Sequence, residues 1–92
     1  MGVPHYAYDL ELGQSVGEYD NLNSFYLGVY SCDATTAATV SNTPITNTAY
    51  KLICEATSNN TVRQTVITTT GQIYIRTGDN STSSWVWSNW AV

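Results

Sequence analysis

The chain has 92 residues, of which 11% are charged, and carries a formal net charge of −4 with only three basic residues. A chain this short forms one small domain with a modest core, and three cations are too few for nucleic-acid binding or for attraction to anionic membranes. No apolar run reaches the roughly 20 residues that cross a bilayer, and the N-terminus lacks the basic and apolar regions of a signal peptide.

Residues 1–18 are predicted to form an N-terminal arm or linker, and residues 19–92 a β-rich knob domain. In the arm, apolar side chains recur at every second position from Tyr6 to Leu12, as in a short strand or an extended segment packed on a neighbour. Residues 25–32 are rich in aromatic and β-branched side chains and are predicted to be a strand. Either a short helical turn or a loop follows, and a turn is predicted before Pro44.

Three further strands and one hairpin are predicted in the second half of the chain. Residues 49–56 form a strand in which Tyr50, Leu52 and Cys54 share a face. Residues 61–69 and 72–77 form a hairpin around a two-residue loop, with Val66 opposite Ile75. This register gathers four apolar side chains on one face, whereas a shift by one residue mixes them with arginines. The opposite face then carries Arg63, Thr65, Ile67, Tyr74 and Arg76.

The last strand holds all three tryptophans, Trp85, Trp87 and Trp90. Simple alternation places Trp85 and Trp87 on one face and Trp90 on the other, unless a bulge at Ser88 and Asn89 resets the phase. No heptad, repeat or long helical period occurs. The sequence therefore predicts a mainly β fold, a small antiparallel sheet with at most one short helix.

The two cysteines, Cys32 and Cys54, lie in predicted apolar strands. Two interpretations remain open for them. They are either buried thiols that act as small hydrophobic groups, or a disulfide, which requires Cα atoms within roughly 7 Å.

Seven short segments occur in a characteristic order. They are Asp20-Asn21-Leu22-Asn23, Gly28-Val29-Tyr30, Asn42-Thr43-Pro44, Tyr50-Lys51-Leu52-Ile53, Val62-Arg63-Gln64-Thr65, Gly71-Gln72-Ile73-Tyr74-Ile75-Arg76, and Trp85 through Trp90. In this order and spacing, residues 20–92 resemble the pyocin-knob type of domain found in the fibres of phage tails and of phage-tail-like bacteriocins. The extra Asn21 and the loop at residues 78–84 depart from the family pattern.

The resemblance implies a homotrimeric tail-fibre protein of a virion, made in the cytoplasm of its bacterial host and acting outside the cell. It further implies attachment to a bacterial surface, often through glycans. The low surface charge agrees with an oligomer, since few charges must be desolvated at a subunit contact. The resemblance leaves open whether the knob binds a receptor or is a purely structural spacer, and a monomeric secreted carbohydrate-binding module is a third alternative.

The candidate ligand-binding residues surround the C-terminal strand. Each tryptophan either fills the core and subunit interface or stacks on the apolar face of a sugar ring, and Trp90 is the one expected to leave the core. Arg76 and Tyr74 either hydrogen-bond a glycan or have a structural role, in which case Glu55 is a candidate ion-pair partner of Arg76. The sixth candidate is Asn80, in the polar loop.

Catalysis, metal binding and a cofactor are not expected. His5 is the only histidine, and glycoside hydrolysis needs two carboxylates facing each other across a cleft, which the predicted sheet does not provide. The loop at Asp79 and Asn80 offers one carboxylate, whereas calcium takes six to eight oxygen ligands. The expected function is therefore binding, as a non-enzymatic fibre domain.

Overall fold

A six-stranded sheet contains every strand found in residues 13–92, the part of the chain that the computed structural model describes. The strands are β1 (Gln14–Ser15), β2 (Gly28–Cys32), β3 (Tyr50–Ala56), β4 (Thr61–Thr68), β5 (Ile73–Asp79) and β6 (Val86–Trp87), and they follow this order across the sheet. β1 and β2 are parallel, and all other neighbours are antiparallel. With one four-residue helix, α1 (Ala34–Ala37), the mainly β prediction is confirmed. None of the helices in residues 13–92 has the length and apolarity to span a membrane.

The core lies on one face of the sheet. Every second side chain of β3 and β4 is buried, as expected for strands with one covered face. The connecting segments before β2 and between β2 and β3 fold over this face and supply the other half of the core. The buried apolar side chains of the cluster are Val16, Leu22, Cys32, Ala37, Val40, Tyr50, Leu52, Cys54 and Val66.

Short side chains that accept backbone hydrogen bonds shape these connecting segments. Asp33 begins α1, and its carboxylate accepts a hydrogen bond from the Thr36 amide at 2.7 Å, which keeps the pKa of Asp33 below its ordinary value. Asn21 begins a 3₁₀ turn over Leu22–Ser24 in the same way. Its Oδ1 also accepts a hydrogen bond from Asn42 at 2.8 Å, so the extra asparagine of the sequence pattern joins two loops.

The hairpin between β4 and β5 differs from the prediction by one residue. Val66 lies opposite Tyr74, and Ile67 opposite Ile73, so the predicted pairing of Val66 with Ile75 is wrong. The loop has three residues instead of two: the Thr68 amide donates to the Gln72 carbonyl at 2.9 Å, and Gly71 has a φ of 89°. A left-handed glycine at the end of a three-residue loop is a common hairpin closure.

This register exchanges the two faces of β5. Arg76 and Tyr74 point to the core side together with Val62 and Val66, whereas Ile73 and Ile75 are 47% and 41% exposed on the outer side. The predicted grouping of Arg76 with Arg63 on one face is therefore wrong. A register chosen only to group apolar side chains is wrong here. The observed register places Gln64 opposite Arg76 on the buried face, where the two side chains are hydrogen-bonded.

The cysteines are both free and buried. Cys32 is in β2 and Cys54 in β3, where each side chain packs in the core cluster. The structure thus agrees with two buried thiols.

The predicted arm is only partly described. Gln14 and Ser15 pair with Tyr30 and Ser31 of β2, and Val16 is buried in the core. The last residues of this segment therefore pack with the domain. The expectations for His5 and for the alternation from Tyr6 to Leu12 lie outside the described residues.

Candidate functional site

Arg76 is a buried arginine on the core face of β5, where it is 5% exposed. It lies opposite Gln64 of β4, and its Nε donates a hydrogen bond to Gln64 Oε1 at 2.8 Å. Gln64 is fully buried, and its Nε2 donates to the carbonyl oxygens of Leu22 and Phe25, both at 2.7 Å. One glutamine thus attaches the 3₁₀ turn to the sheet and orients the guanidinium.

Two indoles enclose the guanidinium of Arg76. Its Cζ lies 4.2 Å from the centroid of the Trp87 ring and 4.7 Å from that of Trp90. Such contacts are favourable because the ring face carries partial negative charge. Burial lowers the pKa of Arg76 to about 10, so the side chain remains charged at neutral pH.

The expected ion pair between Arg76 and Glu55 is not formed. Glu55 instead accepts hydrogen bonds from Arg63, with Nη2 at 2.7 Å, on the outer face of the sheet. Both partners are about half exposed, with side-chain exposures of 46% and 45%. Among the described residues, Arg76 therefore has no carboxylate partner.

The absence of a side chain at Gly78 lets Trp87 lie over β5. Gly78 is directly opposite Trp87, and a Cβ at Gly78 would be 2.7 Å from the indole ring. Any larger residue at this position would therefore displace the indole. The glycine allows the ring to cover the strand and reach Arg76.

A bulge brings Trp90 to the same side. Gly78 pairs with Trp87 and Ile75 with Ala91, so the C-terminal segment has one residue more than β5 between the two pairs. This extra residue resets the alternation, as in the predicted alternative of a bulge at Ser88 and Asn89. Trp90 packs against the core cluster, so the expectation that it leaves the core is wrong. The Trp90 Nε1 donates to the Asn42 carbonyl at 2.9 Å and holds the indole against that loop.

Tyr26 extends the group of stacked rings. Its ring centroid is 4.7 Å from that of Trp85 and 6.3 Å from that of Trp87, and the two indoles are 5.7 Å apart with an interplanar angle of 20°. Tyr26, Trp85, Trp87, Arg76 and Trp90 are called the aromatic row below. Aromatic contacts of this kind stabilise a surface beyond the burial of their area.

A cavity of about 540 Å³ opens beside the aromatic row. Amide and hydroxyl groups from the loops form the rest of its wall. The lining residues are Asn23, Asn42, Thr43, Arg76, Trp85, Trp87, Ser88, Asn89 and Trp90. Two of their polar atoms are buried without a hydrogen-bond partner, Asn23 Oδ1 and Arg76 Nη2. Buried polar atoms are rarely left unpaired, so these two mark a place where a ligand can supply the missing partners.

The predicted site residues divide into two groups. Trp85, Trp87, Trp90 and Arg76 line the cavity together. Tyr74 and Asn80 do not line it: the Tyr74 hydroxyl donates to Gln72 at 3.2 Å, and the Asn80 amide donates to the Asn60 carbonyl at 2.8 Å.

Several cavity residues were not predicted from the sequence. Asn23, Asn42 and Asn89 come from three separate segments, and nothing local in the sequence distinguishes them from other loop asparagines. Tyr26 was assigned to a strand, and its aromatic partners lie far along the chain. The family pattern contains both Asn23 and Asn42, and it was the one signal in the sequence that set these two asparagines apart.

A second cavity, of about 370 Å³, lies at the ends of β2, β3 and β4. Its wall is mainly apolar and includes Cys32, Tyr50 and Ile67. It contains neither a predicted site residue nor an unpaired buried polar atom. The cavity at the aromatic row is therefore the stronger candidate.

Two solved structures are similar to this chain. One is the N-truncated tail fibre of an R2-type pyocin, solved with selenomethionine, with 29% identity, a TM-score of 0.70 and 84% of this chain covered. The other is the R1 pyocin fibre of P. aeruginosa comprising C-terminal residues 323–701, with 30% identity, a TM-score of 0.65 and 80% of this chain covered. This chain spans 30% and 20% of those two chains. No protein-family model and no curated protein matches.

These similarities agree with the resemblance found in the sequence. The order of the short segments, the mainly β sheet and the two fibre structures agree with one another. Together they show that this chain is a pyocin-fibre-type domain, similar to a domain of a phage tail fibre.

Proposed function

We propose that the chain is a non-enzymatic, homotrimeric tail-fibre domain that attaches a virion or phage-tail-like particle to a bacterial surface through glycans. The observation that carries this proposal is the cavity at the aromatic row, with three indoles, a buried guanidinium and two unpaired polar atoms. The domain would be made in the bacterial host and act as part of an extracellular appendage.

The chemistry of the cavity wall supports a sugar ligand. A sugar ring has an apolar face that packs on an indole and hydroxyl groups at its edge that exchange hydrogen bonds. The cavity offers the indole of Trp85 beside amide and hydroxyl groups such as those of Asn89 and Ser88. None of the lining residues is a carboxylate, whereas glycosidases use two, so the wall of this cavity suits sugar binding rather than glycoside hydrolysis.

The outer face of the sheet supports self-association. Val29, Ile53, Thr65 and Ile75 lie opposite one another in successive strands and form an uncharged row across β2 to β5. Val29 and Ile75 are 37% and 41% exposed. Burying this row against another copy gains hydrophobic stabilisation, and the row itself carries no charge to desolvate. Three copies is the number that the fibre resemblance implies.

Three sites on one fibre would act together. A single shallow sugar site binds weakly, but linked sites raise the effective concentration of the second and third contacts, so the avidity exceeds the single-site affinity by orders of magnitude. A rigid trimer that holds the cavities at fixed spacing is suited to a surface of repeated sugars.

The test is a titration of labelled domain against whole bacteria and purified surface polysaccharide. Trp85→Ala and Trp90→Ala should weaken saturable binding by at least roughly tenfold, because large aromatic side chains dominate such contacts. Tyr19→Asn is the matched control, since Tyr19 is 77% exposed, has a φ of 63° that asparagine tolerates, and does not line the cavity.

Two outcomes would favour the alternatives. Intact trimers that bind neither bacteria nor polysaccharide would indicate a structural spacer. A stable monomer in light scattering that still binds polysaccharide would indicate a carbohydrate-binding module outside any fibre.

A further inference from the structure

We propose that the cavity at the aromatic row takes an acidic sugar, whose carboxylate pairs with the guanidinium of Arg76 while its ring lies against the indoles. The inference rests on the proposed function and specifies the class of glycan. It follows from the charge of Arg76, from the groups already bonded to it, and from the second unpaired atom of the cavity.

Within residues 13–92, the positive charge of Arg76 has no negative partner. The ion pair found among the described residues joins Arg63 to Glu55 on the opposite face of the sheet. Cys54 is near the guanidinium, but burial raises the pKa of its thiol to about 12, so it carries no charge at neutral pH. A buried charge without a partner is costly to the fold, and an anionic ligand removes that cost.

The contacts of the guanidinium leave one of its edges for a ligand. Trp87 and Trp90 both lie against the guanidinium, and Nε is already bonded to Gln64. Nη2 has no acceptor. Arginine recognises carboxylates through this planar edge, often with two parallel hydrogen bonds.

The second unpaired atom distinguishes a sugar acid from a simple anion. Asn23 Oδ1 is an acceptor without a donor among residues 13–92, and a fully deprotonated simple anion such as sulfate supplies acceptors only. A sugar acid brings both missing groups, a carboxylate for Arg76 and a hydroxyl donor for Asn23. Both protein atoms are covered, so bulk water does not pair with them, and side chains of the cavity wall must shift slightly when the ligand enters.

The experiment compares acidic sugars with their neutral counterparts by quenching of tryptophan fluorescence. The probes are galacturonate, glucuronate and oligogalacturonate, each with its methyl ester, and inorganic sulfate is included as a simple anion without a donor. The wild-type domain should bind each acid roughly tenfold to a hundredfold more tightly than its ester, as a charge-assisted hydrogen bond predicts. Sulfate should bind more weakly than the acids.

Two variants assign this preference to one residue. Arg76→Gln should abolish the difference between acid and ester, whereas Arg63→Gln, which removes the same charge from the opposite face, should retain it. Circular dichroism checks that Arg76→Gln is folded. If it is not, the acid–ester comparison on the wild-type domain decides alone.

The inference is overturned if the wild-type domain binds no acid better than its ester, or if folded Arg76→Gln keeps the preference. Either result, together with intact binding to bacteria, would leave the proposed attachment function in place and remove only the acidic-sugar class.

Discussion

Gln64 joins Arg76 to a loop that is distant in sequence. Its Oε1 accepts the hydrogen bond from Arg76 Nε at 2.8 Å, while its Nε2 donates to two carbonyl oxygens around the 3₁₀ turn. The wall of the cavity and the position of the guanidinium therefore depend on one side chain that does not itself line the cavity.

Gln64→Met should destabilise the domain by about 3 kcal/mol, because the change keeps the volume but leaves two carbonyl groups and a guanidinium N–H without partners. Urea unfolding measures the loss. Thr77→Val is the control at an exposed, outward-facing position of β5 outside the uncharged row, and it should change the free energy of unfolding by less than about 0.5 kcal/mol. Equal effects of the two substitutions would contradict the assigned role of Gln64.

Gly78→Ala should displace the indole of Trp87, since the added Cβ would lie 2.7 Å from the ring. We expect a loss of about 1–3 kcal/mol and a red shift of the tryptophan emission as the ring leaves Arg76. Gly71→Ala is the matched control: its φ is 89°, with no atom within 4 Å of the added Cβ. It should cost about 1–2 kcal/mol of backbone strain without changing the emission. An unchanged emission spectrum in Gly78→Ala would refute the proposed contact.

Local patterns in the sequence were sufficient for the strands and for part of the site. The strand predicted at residues 49–56 corresponds to β3, Tyr50–Ala56, and that predicted at 61–69 to β4, Thr61–Thr68. Alternating burial along these strands is a local property, because successive side chains point to opposite faces. The three tryptophans and Arg76 lie together at one cavity, because they follow one another in adjacent segments of the chain.

The burial of Gln64 and Arg76, and with it the register of β4 and β5, depends on long-range hydrogen bonds that local sequence patterns do not show. The partners of Gln64 are 42 and 39 residues away in the chain, so no window of sequence shows that this glutamine is buried. The predicted register kept arginine off the apolar face. The observed register buries Arg76, because Gln64 accepts a hydrogen bond from it and two indoles pack against its guanidinium. Ile73 and Ile75 then lie on the outer face, where an apolar row suggests contact with another copy.

Ile75→Lys should dissociate the proposed trimer, because it introduces three charges, one from each copy, into the apolar row on the outer face. Light scattering should give the mass of one subunit for the variant and of three for the wild type. Tyr19→Lys is the control, since Tyr19 is 77% exposed and is not in the row. A wild-type monomer, or a trimer unaffected by Ile75→Lys, would contradict the assignment of this face.

The stability of the domain should fall as the pH rises above 9, because Cys54 holds its proton more strongly when folded. The pKa of its thiol is raised from an ordinary 9.0 to about 12, mainly by burial. Its stabilising contribution is therefore complete below pH 9 and is lost progressively as the pH rises towards 12. Cys32 is shifted in the same direction.

Arg76 has the opposite effect, but only from about pH 10 upwards, since its pKa is lowered from 12.5 to about 10. The effect of Cys54 on stability is therefore best measured between pH 8 and pH 10, below the range in which Arg76 contributes. Between these values, Cys54→Ala should lose about 1 kcal/mol less stability than the wild-type domain, as measured by urea unfolding at each pH. Val66→Ala, a substitution at a buried position without a titratable group, should lower stability at both pH values but keep the wild-type difference between them. If Cys54→Ala also keeps that difference, the thiol is not the group responsible.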